Sequence, residues 1–315
     1  MKDFRCPVPD FRLLPLLAVM LGLLAHAEVG PAAGANREPQ LIRVSYHSAV
    51  LNAERDYFVY LPPGFAQKDK WPVILFLHGN GQRGDGKGEL DYVLEHGPLF
   101  EAWCQRKDLP FVIISPQMPM QDQGEVDYIK NRTRAQIPSR QPEGVNPLRW
   151  FSRRDQPMDG QHPEPLPAEL GDLVHDPRGW NILEADLIGM VDHVLAAYKG
   201  DPKRVYLTGL SLGGEGSWTL AAAHPDRFAA IAPIVGYGSP ASAPPLAAAK
   251  IPVWAFAGGR DADEPVKYIY PILNELEKLG HPEVRFTIEA DLGHDAWMRV
   301  YAGKDLYEWF LSHAK

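Results

Sequence analysis

The sequence predicts an α/β protein in which helices cover both faces of a mostly parallel sheet. Short apolar runs alternate with helical stretches along most of the 315 residues, and this alternation is typical of parallel strands joined by crossover helices. The run at 71–77 is almost continuously apolar, as a strand buried on both faces requires. A later run leads through a Gly-x-Ser-x-Gly sequence directly into a helical stretch.

The strands are predicted in order along the chain. Residues 42–50 and 55–61 alternate in polarity and form an antiparallel opening pair. Six further strands follow, separated by helical stretches: 72–77, 111–115, 204–208, 229–235, 251–257 and 284–288. A helix is predicted over 181–198, because Asn181 and Glu184 form a cap pattern and apolar residues then recur on one face.

Ser211 lies between the predicted strand 204–208 and a helix predicted over 217–223. In such a strand–turn–helix context the serine occupies a sharp turn that holds its hydroxyl clear of the sheet. Gly209 and Gly213 fit this turn, because it brings backbone segments too close for a Cβ atom. The motif alone is weak evidence, but its position between a strand and a helix predicts that Ser211 is a nucleophile.

A serine nucleophile needs a base that removes its proton and an acid that orients the base. His294 follows the last predicted strand in a Gly-His sequence, and we predict it as the base. Asp261 follows the preceding strand and is predicted as the acid, since it lies nearest to the strand end. Asp263 remains an alternative if the loop shifts by two residues. Asp295 is too close to His294 in sequence to reach its Nδ1 atom.

The strand at 72–77 ends in a glycine-rich loop, His78-Gly79-Asn80-Gly81-Gln82-Arg83-Gly84. Backbone N–H groups from this loop and from Leu212 are predicted to form an oxyanion hole. Asn80 is the first choice of donor from the loop and Gly81 the second, and a plain glycine-rich turn is the alternative. A phosphate-binding loop does not fit, because the sequence lacks Gly-Lys-Ser/Thr and has no Gly-x-Gly-x-x-Gly that opens a helix with an acid about 20 residues further on.

Residues 1–27 have the composition of a secretory signal peptide. Basic residues precede the apolar stretch 13–24, and Ala25-His26-Ala27 has the small-x-small form of a cleavage site. The apolar stretch is shorter than the roughly 20 residues that span a bilayer, and an uncleaved anchor is the alternative. We expect residues 28–315 to form a single catalytic domain that is secreted or periplasmic.

The formal net charge of −8 bears on possible partners. The sequence has no basic cluster, which argues against nucleic acid or an anionic membrane surface as a partner. A small-molecule or polymeric ester substrate is expected instead, and the chemistry predicted for Ser211 requires no metal or organic cofactor.

Residues 116–179 interrupt the alternation of strands and helices. They contain many prolines and the adjacent aromatic residues Trp150 and Phe151. A loop of this length inside a domain is usually functional or disordered. Because the strand before it ends at the same sheet edge as the predicted site, we expect the insert to lie over or beside that site, with Trp150 lining the substrate pocket. A surface excursion without substrate contact is the alternative.

Several blocks of the sequence resemble the α/β-hydrolase superfamily. Within it they are similar to the secreted carboxylesterases known as predicted peptidases, related to dienelactone hydrolases and polyhydroxybutyrate-depolymerase-like esterases. The resemblance covers roughly 45–315 and is carried by 77–84, 115–117, 201–214 with Trp218, 225–233 and 293–297. It departs from the family in the long insert and at Ala257, where a histidine is frequent. The resemblance implies an α/β-hydrolase fold with the insert near the active-site edge.

Together, the residues and the resemblance predict an exported serine hydrolase that cleaves carboxylic esters through an acyl-enzyme. Ser211 attacks, His294 transfers the proton, and Asp261 orients His294, while the N–H groups of Leu212 and Asn80 bind the oxyanion. A peptidase of the prolyl-oligopeptidase type is one alternative, although such enzymes usually carry an extra domain for which the chain has little room. A catalytically inactive binding module is the other, although such modules typically lack the serine or the histidine.

Overall fold

The computed structural model describes residues 38–142 and 179–315, and within these ranges eight strands form one sheet. The strands are β1 (Gln40–Ser48), β2 (Ala53–Leu61), β3 (Trp71–Leu77), β4 (Val112–Ser115), β5 (Gly200–Leu210), β6 (Ala230–Ile234), β7 (Val253–Gly258) and β8 (Val284–Glu289). Their order in the sheet is β1-β2-β4-β3-β5-β6-β7-β8. β2 pairs antiparallel with β1 and with β4, and the other neighbours are parallel. The predicted mostly parallel sheet is confirmed.

Every predicted strand is present, and the ends differ by a few residues. The largest difference is at β5, which begins at Gly200 rather than at 204. The reason is pairing with β3: Gly200 lies opposite Trp71, and the register then shifts before Val73 pairs with Val205.

Eight α-helices accompany the strands in the described part of the chain. They are α1 (Gly97–Leu99), α2 (Asp127–Lys130), α3 (Glu184–Ala197), α4 (Leu212–Ala223), α5 (Ala243–Ala249), α6 (Val266–Lys278), α7 (Trp297–Ala302) and α8 (Asp305–Leu311). Alternate side chains of β3 enter two different cores. Val73 and Leu75 pack with residues of α3 to α6, whereas Ile74 and Phe76 pack with residues of α1, α7 and α8. Helices therefore cover both faces of the sheet, as predicted.

The predicted cap of the helix at 181–198 is wrong. Asn181 lies within a 3-10 turn, Trp180–Leu183, and α3 begins at Glu184 without a side-chain cap. The turn is held by Trp180, which is buried and donates a hydrogen bond from Nε1 to the carbonyl oxygen of His78 over 3.1 Å. This tertiary contact, rather than a local cap, determines where the helix begins.

The first part of the predicted insert contains regular structure, which the sequence did not predict. Residues 116–142 include α2 and two 3-10 turns, Gln121–Glu125 and Arg134–Gln136. Trp150, Phe151 and the predicted signal peptide 1–27 lie outside the described residues. Within the described ranges, no helix is both long and apolar enough to cross a bilayer.

Candidate active site

The turn between β5 and α4 holds Ser211 in a strained backbone conformation. Its φ is 52° and its ψ is −124°, a region that costs a non-glycine residue about 1–3 kcal/mol. Two backbone hydrogen bonds hold the turn: Ser211 N donates to Ile234 O over 2.9 Å, and Glu215 N donates to Ser211 O over 3.0 Å. The serine is therefore fixed at the end of the sheet.

Gly209 and Gly213 allow this turn to form. A Cβ atom on Gly209 would lie 2.1 Å from Gly213 O, and one on Gly213 would lie 1.9 Å from Leu77 O. No real Cβ atom tolerates such distances, so both positions require glycine. The N-terminus of α4 is thereby packed against the end of β3.

Ser211, His294 and Asp261 form a continuous chain of hydrogen bonds. His294 Nε2 lies 2.9 Å from Ser211 Oγ, and His294 Nδ1 lies 2.8 Å from Asp261 Oδ2. Because a carboxylate can only accept hydrogen bonds, Nδ1 carries the imidazole proton and Nε2 is free to accept the proton of the serine hydroxyl. This is the geometry that a serine nucleophile requires.

The loops that carry Asp261 and His294 are packed backbone to backbone. A Cβ atom on Gly258 would lie 2.0 Å from Gly293 O, and Arg260 N donates to Leu292 O over 2.9 Å. The two loops follow the neighbouring parallel strands β7 and β8, whose carboxyl ends share one edge of the sheet. Asp261 and His294 therefore meet although they are far apart in sequence.

The structure distinguishes the two candidate acids by their contacts. The side chain of Asp261 is fully buried, and its Oδ1 accepts hydrogen bonds of 2.9 Å from the backbone N–H groups of Asp263 and Glu264. Asp263 is exposed, and its carboxylate lies within 4.8 Å of the polar side-chain atoms of Asp261 and His294. Asp261 thus occupies the position predicted for the acid, with Asp263 beside it.

Asn80 and Leu212 each begin a helical turn near Ser211. Asn80 begins the 3-10 turn Asn80–Gln82, and Leu212 begins α4. The first N–H groups of helical segments have no acceptor within the segment, so both donors can bind an oxyanion. A Cβ atom on Gly79 would lie 3.5 Å from Ser211 Cβ, which places this loop against Ser211. Gly81, the second choice from sequence, is the next residue of the same turn.

His78 is a buried residue whose role the sequence did not predict. Its Nε2 accepts a 2.9 Å hydrogen bond from Met118 N, so its Nδ1 carries the proton and donates to Gly79 O over 2.6 Å. Burial lowers the pKa of His78 to about 3, which keeps the ring neutral. The neutral ring ties the loop after β3 to the segment after β4.

We expect His78→Gln to change how stability depends on pH. The folded-state pKa of His78 is about 3, below the ordinary value of about 6.5, so protonation favours the unfolded chain. The free energy of unfolding should therefore fall by up to about 1.4 kcal/mol per pH unit below pH ~6.5. Glutamine does not titrate, and the variant should show a shallower fall in urea denaturation between pH 7 and 4. An equal slope in both proteins, with exposed His47→Gln as the control, would contradict this.

Both polar atoms of the Asn80 side-chain amide are hydrogen-bonded. Its Oδ1 accepts from Arg83 Nε over 2.5 Å, and its Nδ2 donates to Tyr128 OH over 2.7 Å. Arg132 donates to the carbonyl oxygens of Gly81 and Arg83 over 3.0 and 2.6 Å. Tyr128 lies on α2 in the predicted insert, so the first part of the insert fixes the loop after β3. These contacts join distant segments and leave no periodic signal in the sequence.

Tyr128→Phe is expected to lower kcat about fivefold, because one hydrogen bond that fixes Asn80 is worth about 1 kcal/mol. KM for a small ester should change less, since the bond positions an oxyanion donor rather than the substrate. Steady-state kinetics on a nitrophenyl ester would measure both constants. Tyr270→Phe, on α6, is a matched control that should leave kcat unchanged, and an equal effect of the two substitutions would refute a role for Tyr128 in positioning the loop.

Comparison with known proteins shows the fold. No family model matches the chain. A stretch of 47 residues is 51% identical to poly(3-hydroxyalkanoate) depolymerase C of Paucimonas lemoignei, covering 15% of this chain and only 11% of the depolymerase. A thermostable esterase of known structure aligns with a TM-score of 0.58 and 22% identity, covering 87% of this chain and 63% of the esterase. An S-formylglutathione hydrolase from Staphylococcus aureus aligns with a TM-score of 0.55 and 13% identity, covering 88% and 98%. The chain has the α/β-hydrolase fold.

The places of Ser211, Asp261 and His294 along the chain match the order of active-site residues that is usual in the α/β-hydrolase fold. A nucleophile follows a central strand at a sharp turn, and the acid and the histidine follow later strands in that order. Here Ser211 follows β5, Asp261 follows β7 and His294 follows β8. The fold predicted from the sequence blocks is confirmed, and the structure brings together the residues that were predicted to form its active site.

Proposed function

We propose that the protein is a serine hydrolase that cleaves carboxylic esters. The observation that carries the proposal is the hydrogen-bonded chain from Ser211 Oγ through His294 to the buried Asp261. Two N–H groups lie at the start of helical segments next to the serine, that of Asn80 in the loop after β3 and that of Leu212 at the start of α4. A nucleophile, a base, an orienting acid and oxyanion donors are the set of groups that acyl transfer needs.

In the first half of the reaction, His294 Nε2 takes the proton of Ser211 while Oγ attacks the acyl carbon. The carbonyl oxygen becomes an oxyanion, which accepts hydrogen bonds from the N–H groups of Leu212 and Asn80. The imidazolium that forms is stabilised by Asp261. His294 then donates its proton to the leaving alkoxide, the carbon–oxygen bond to the alcohol breaks, and an acyl-enzyme remains on Ser211.

In the second half, a water molecule replaces the alcohol. His294 removes a proton from this water as its oxygen attacks the acyl-enzyme, and the same two N–H groups stabilise the second oxyanion. The intermediate collapses when Ser211 Oγ leaves and takes the proton from His294. The carboxylic acid is released, and the serine and the neutral imidazole are restored.

The preference for esters is supported by the names of similar proteins, a depolymerase of polyhydroxyalkanoates and an esterase. A peptidase would use the same three residues. A series of 4-nitrophenyl esters from acetate to palmitate, compared with the matching 4-nitroanilides and peptide amides, tests the proposal. Ester turnover should exceed amide turnover for the same acyl group. A preference for amides would show a peptidase instead.

An inactive binding module is the remaining alternative, and a fluorophosphonate probe distinguishes it from an enzyme. The probe reacts with a serine whose proton can be transferred to a base. Stoichiometric labelling that is lost on heat denaturation is expected for a hydrolase. A folded protein that does not react would contradict the proposal.

We also propose export of the chain, which rests on residues 1–27 of the sequence alone. Expression of the full chain in a bacterial host, followed by fractionation and N-terminal sequencing, tests it. A secreted or periplasmic product that begins near Glu28 is expected. A cytoplasmic product with an intact N-terminus would contradict export but not hydrolysis.

A further inference from the structure

Tyr128 is the one aromatic side chain among the described residues that is largely exposed to solvent. Its exposed fraction is 59%, whereas the other phenylalanine, tyrosine and tryptophan side chains of residues 38–142 and 179–315 are buried or half-buried. A single exposed apolar residue is ordinary on a protein surface. An exposed ring that is held rigidly beside an active site is different, because aromatic side chains are typical of the walls of ligand pockets.

The ring of Tyr128 lies along the loop after β3, which carries the proposed oxyanion donor Asn80. Tyr128 OH accepts a 2.7 Å hydrogen bond from Asn80 Nδ2. A Cβ atom on Gly81 would lie 3.8 and 3.9 Å from Cδ2 and Cε2 of the ring, which is ordinary van der Waals contact. Gly79, on the other side of Asn80 in the chain, is the residue that lies against Ser211. Adjoining residues of one short loop therefore contact the serine and the ring.

Three contacts fix α2, the short helix that carries Tyr128. Ile129, the next residue, is buried and anchors α2 to the protein. Arg132, just after α2, donates to two carbonyl oxygens of the loop after β3 over 3.0 and 2.6 Å. The hydrogen bond to Asn80 fixes the ring itself. A ring that is already fixed loses little conformational entropy when a ligand packs against it.

A fixed and exposed aromatic face is suited to a flat ring. Two aromatic rings attract each other when they stack with an offset or meet edge to face, in addition to the effect of the area they bury. A saturated ring of the same size buries a similar area but lacks the π electrons that produce this attraction. An aromatic ring is therefore the group that Tyr128 distinguishes best from other apolar groups of equal size.

We propose that Tyr128 is a specificity-determining residue that binds an aromatic ring of the substrate, so that the protein prefers esters whose acid or alcohol carries such a ring. The inference rests on the proposed hydrolase function. The contact lies away from the carbonyl carbon, so it is the same in the ground state and in the transition state. Uniform binding of this kind lowers KM and leaves kcat unchanged.

Tyr128→Leu and Tyr128→Phe separate the ring from the hydroxyl group. Both variants lack the hydrogen bond to Asn80, so both should show the same loss of kcat. Phenylalanine keeps the aromatic face, whereas leucine replaces it by an apolar group without π electrons. Because the ring is exposed, the two variants should have the same melting temperature. A difference between them in substrate preference then reports on the ring alone.

Two pairs of esters measure the preference and identify the half of the substrate that meets the ring. Methyl 3-phenylpropanoate and methyl 3-cyclohexylpropanoate place the ring in the acid, and 2-phenylethyl and 2-cyclohexylethyl acetate place it in the alcohol. In one of the pairs, the phenyl-to-cyclohexyl ratio of kcat/KM should fall about threefold to tenfold in Tyr128→Leu, through KM. The ratio in Tyr128→Phe should stay close to that of the wild type.

Calorimetric titration of the same esters into Ser211→Ala, with and without Tyr128→Leu, measures the ring contact without turnover. Kd of the preferred phenyl ester should rise about threefold to tenfold on addition of Tyr128→Leu, and Kd of its cyclohexyl counterpart should not. Such a rise in a protein that hydrolyses no ester would refute the hydrolase function and keep the ring contact. Equal phenyl-to-cyclohexyl ratios in all variants would overturn the proposal, and a lower melting temperature in Tyr128→Leu with unchanged ratios would show a ring that only packs.

Discussion

Ser211→Ala is expected to lower kcat for ester hydrolysis by about 10⁴-fold or more and to abolish fluorophosphonate labelling. The substitution removes the atom that attacks the acyl carbon and leaves His294 without a proton to accept. The backbone conformation at this position, with φ of 52°, is as strained for alanine as for serine. The melting temperature should therefore stay within a few degrees of the wild type, and kcat and labelling are measured on the folded protein.

Ser217→Ala is the matched control, in the helix α4 that follows Ser211. Its hydroxyl is buried and donates to Gly213 O over 2.7 Å, so it has no contact with a substrate. The variant should retain labelling and most of kcat. Labelling that persists in Ser211→Ala, or that disappears in Ser217→Ala while the protein is folded, would show that the reactive serine has been wrongly assigned.

The sheet was predictable because its strands carry their own signal. Buried parallel strands are continuously apolar, and the run that forms β3 has this property at nearly every position. The start of α3 was not predictable in the same way. Asn181 has the chemistry of a cap, but the burial of Trp180 against His78 determines a 3-10 turn there. Tertiary contacts of this kind override local preference.

The positions of Ser211 and His294 at the edge of the sheet were predictable, because the close backbone contacts beside them require glycine. Gly209 and Gly213 flank Ser211, and Gly293 precedes His294. The hydrogen bonds of Tyr128 with Asn80 and of His78 with Met118 join segments that are distant in sequence. Neither a glycine pattern nor periodicity marks such pairs, so these contacts could not be predicted from the sequence.

The choice between Asp261 and Asp263 could not be made from sequence, since a loop that shifts by two residues exchanges them. In the structure, the two candidates differ in the contacts of their carboxylate oxygens. Both backbone N–H donors, from Asp263 and Glu264, point at one oxygen of Asp261, and His294 Nδ1 meets the other. The two oxygens of Asp261 therefore have separate functions, and this division determines what an amide would do there.

Asp261→Asn is expected to lower kcat by about 10⁴-fold. The two backbone donors require an acceptor, so the amide oxygen takes the place of Oδ1 and the amide NH2 group faces His294 Nδ1. That nitrogen must then accept, which moves the imidazole proton to Nε2. An Nε2 that carries a proton cannot take one from Ser211, so kcat falls although the geometry is kept. The measurement is kcat on a nitrophenyl ester, with circular dichroism to confirm folding.

Asp263→Asn is the control, two residues away and identical in chemistry. Its side chain is exposed, and His294 Nδ1 is bonded to Asp261 instead, so kcat should stay close to the wild-type value. A larger loss in Asp263→Asn than in Asp261→Asn would mean that Asp263 is the acid in the working enzyme. Equal small losses would mean that His294 is oriented by neither carboxylate, because only a group bonded to Nδ1 can select the tautomer that accepts the proton of Ser211.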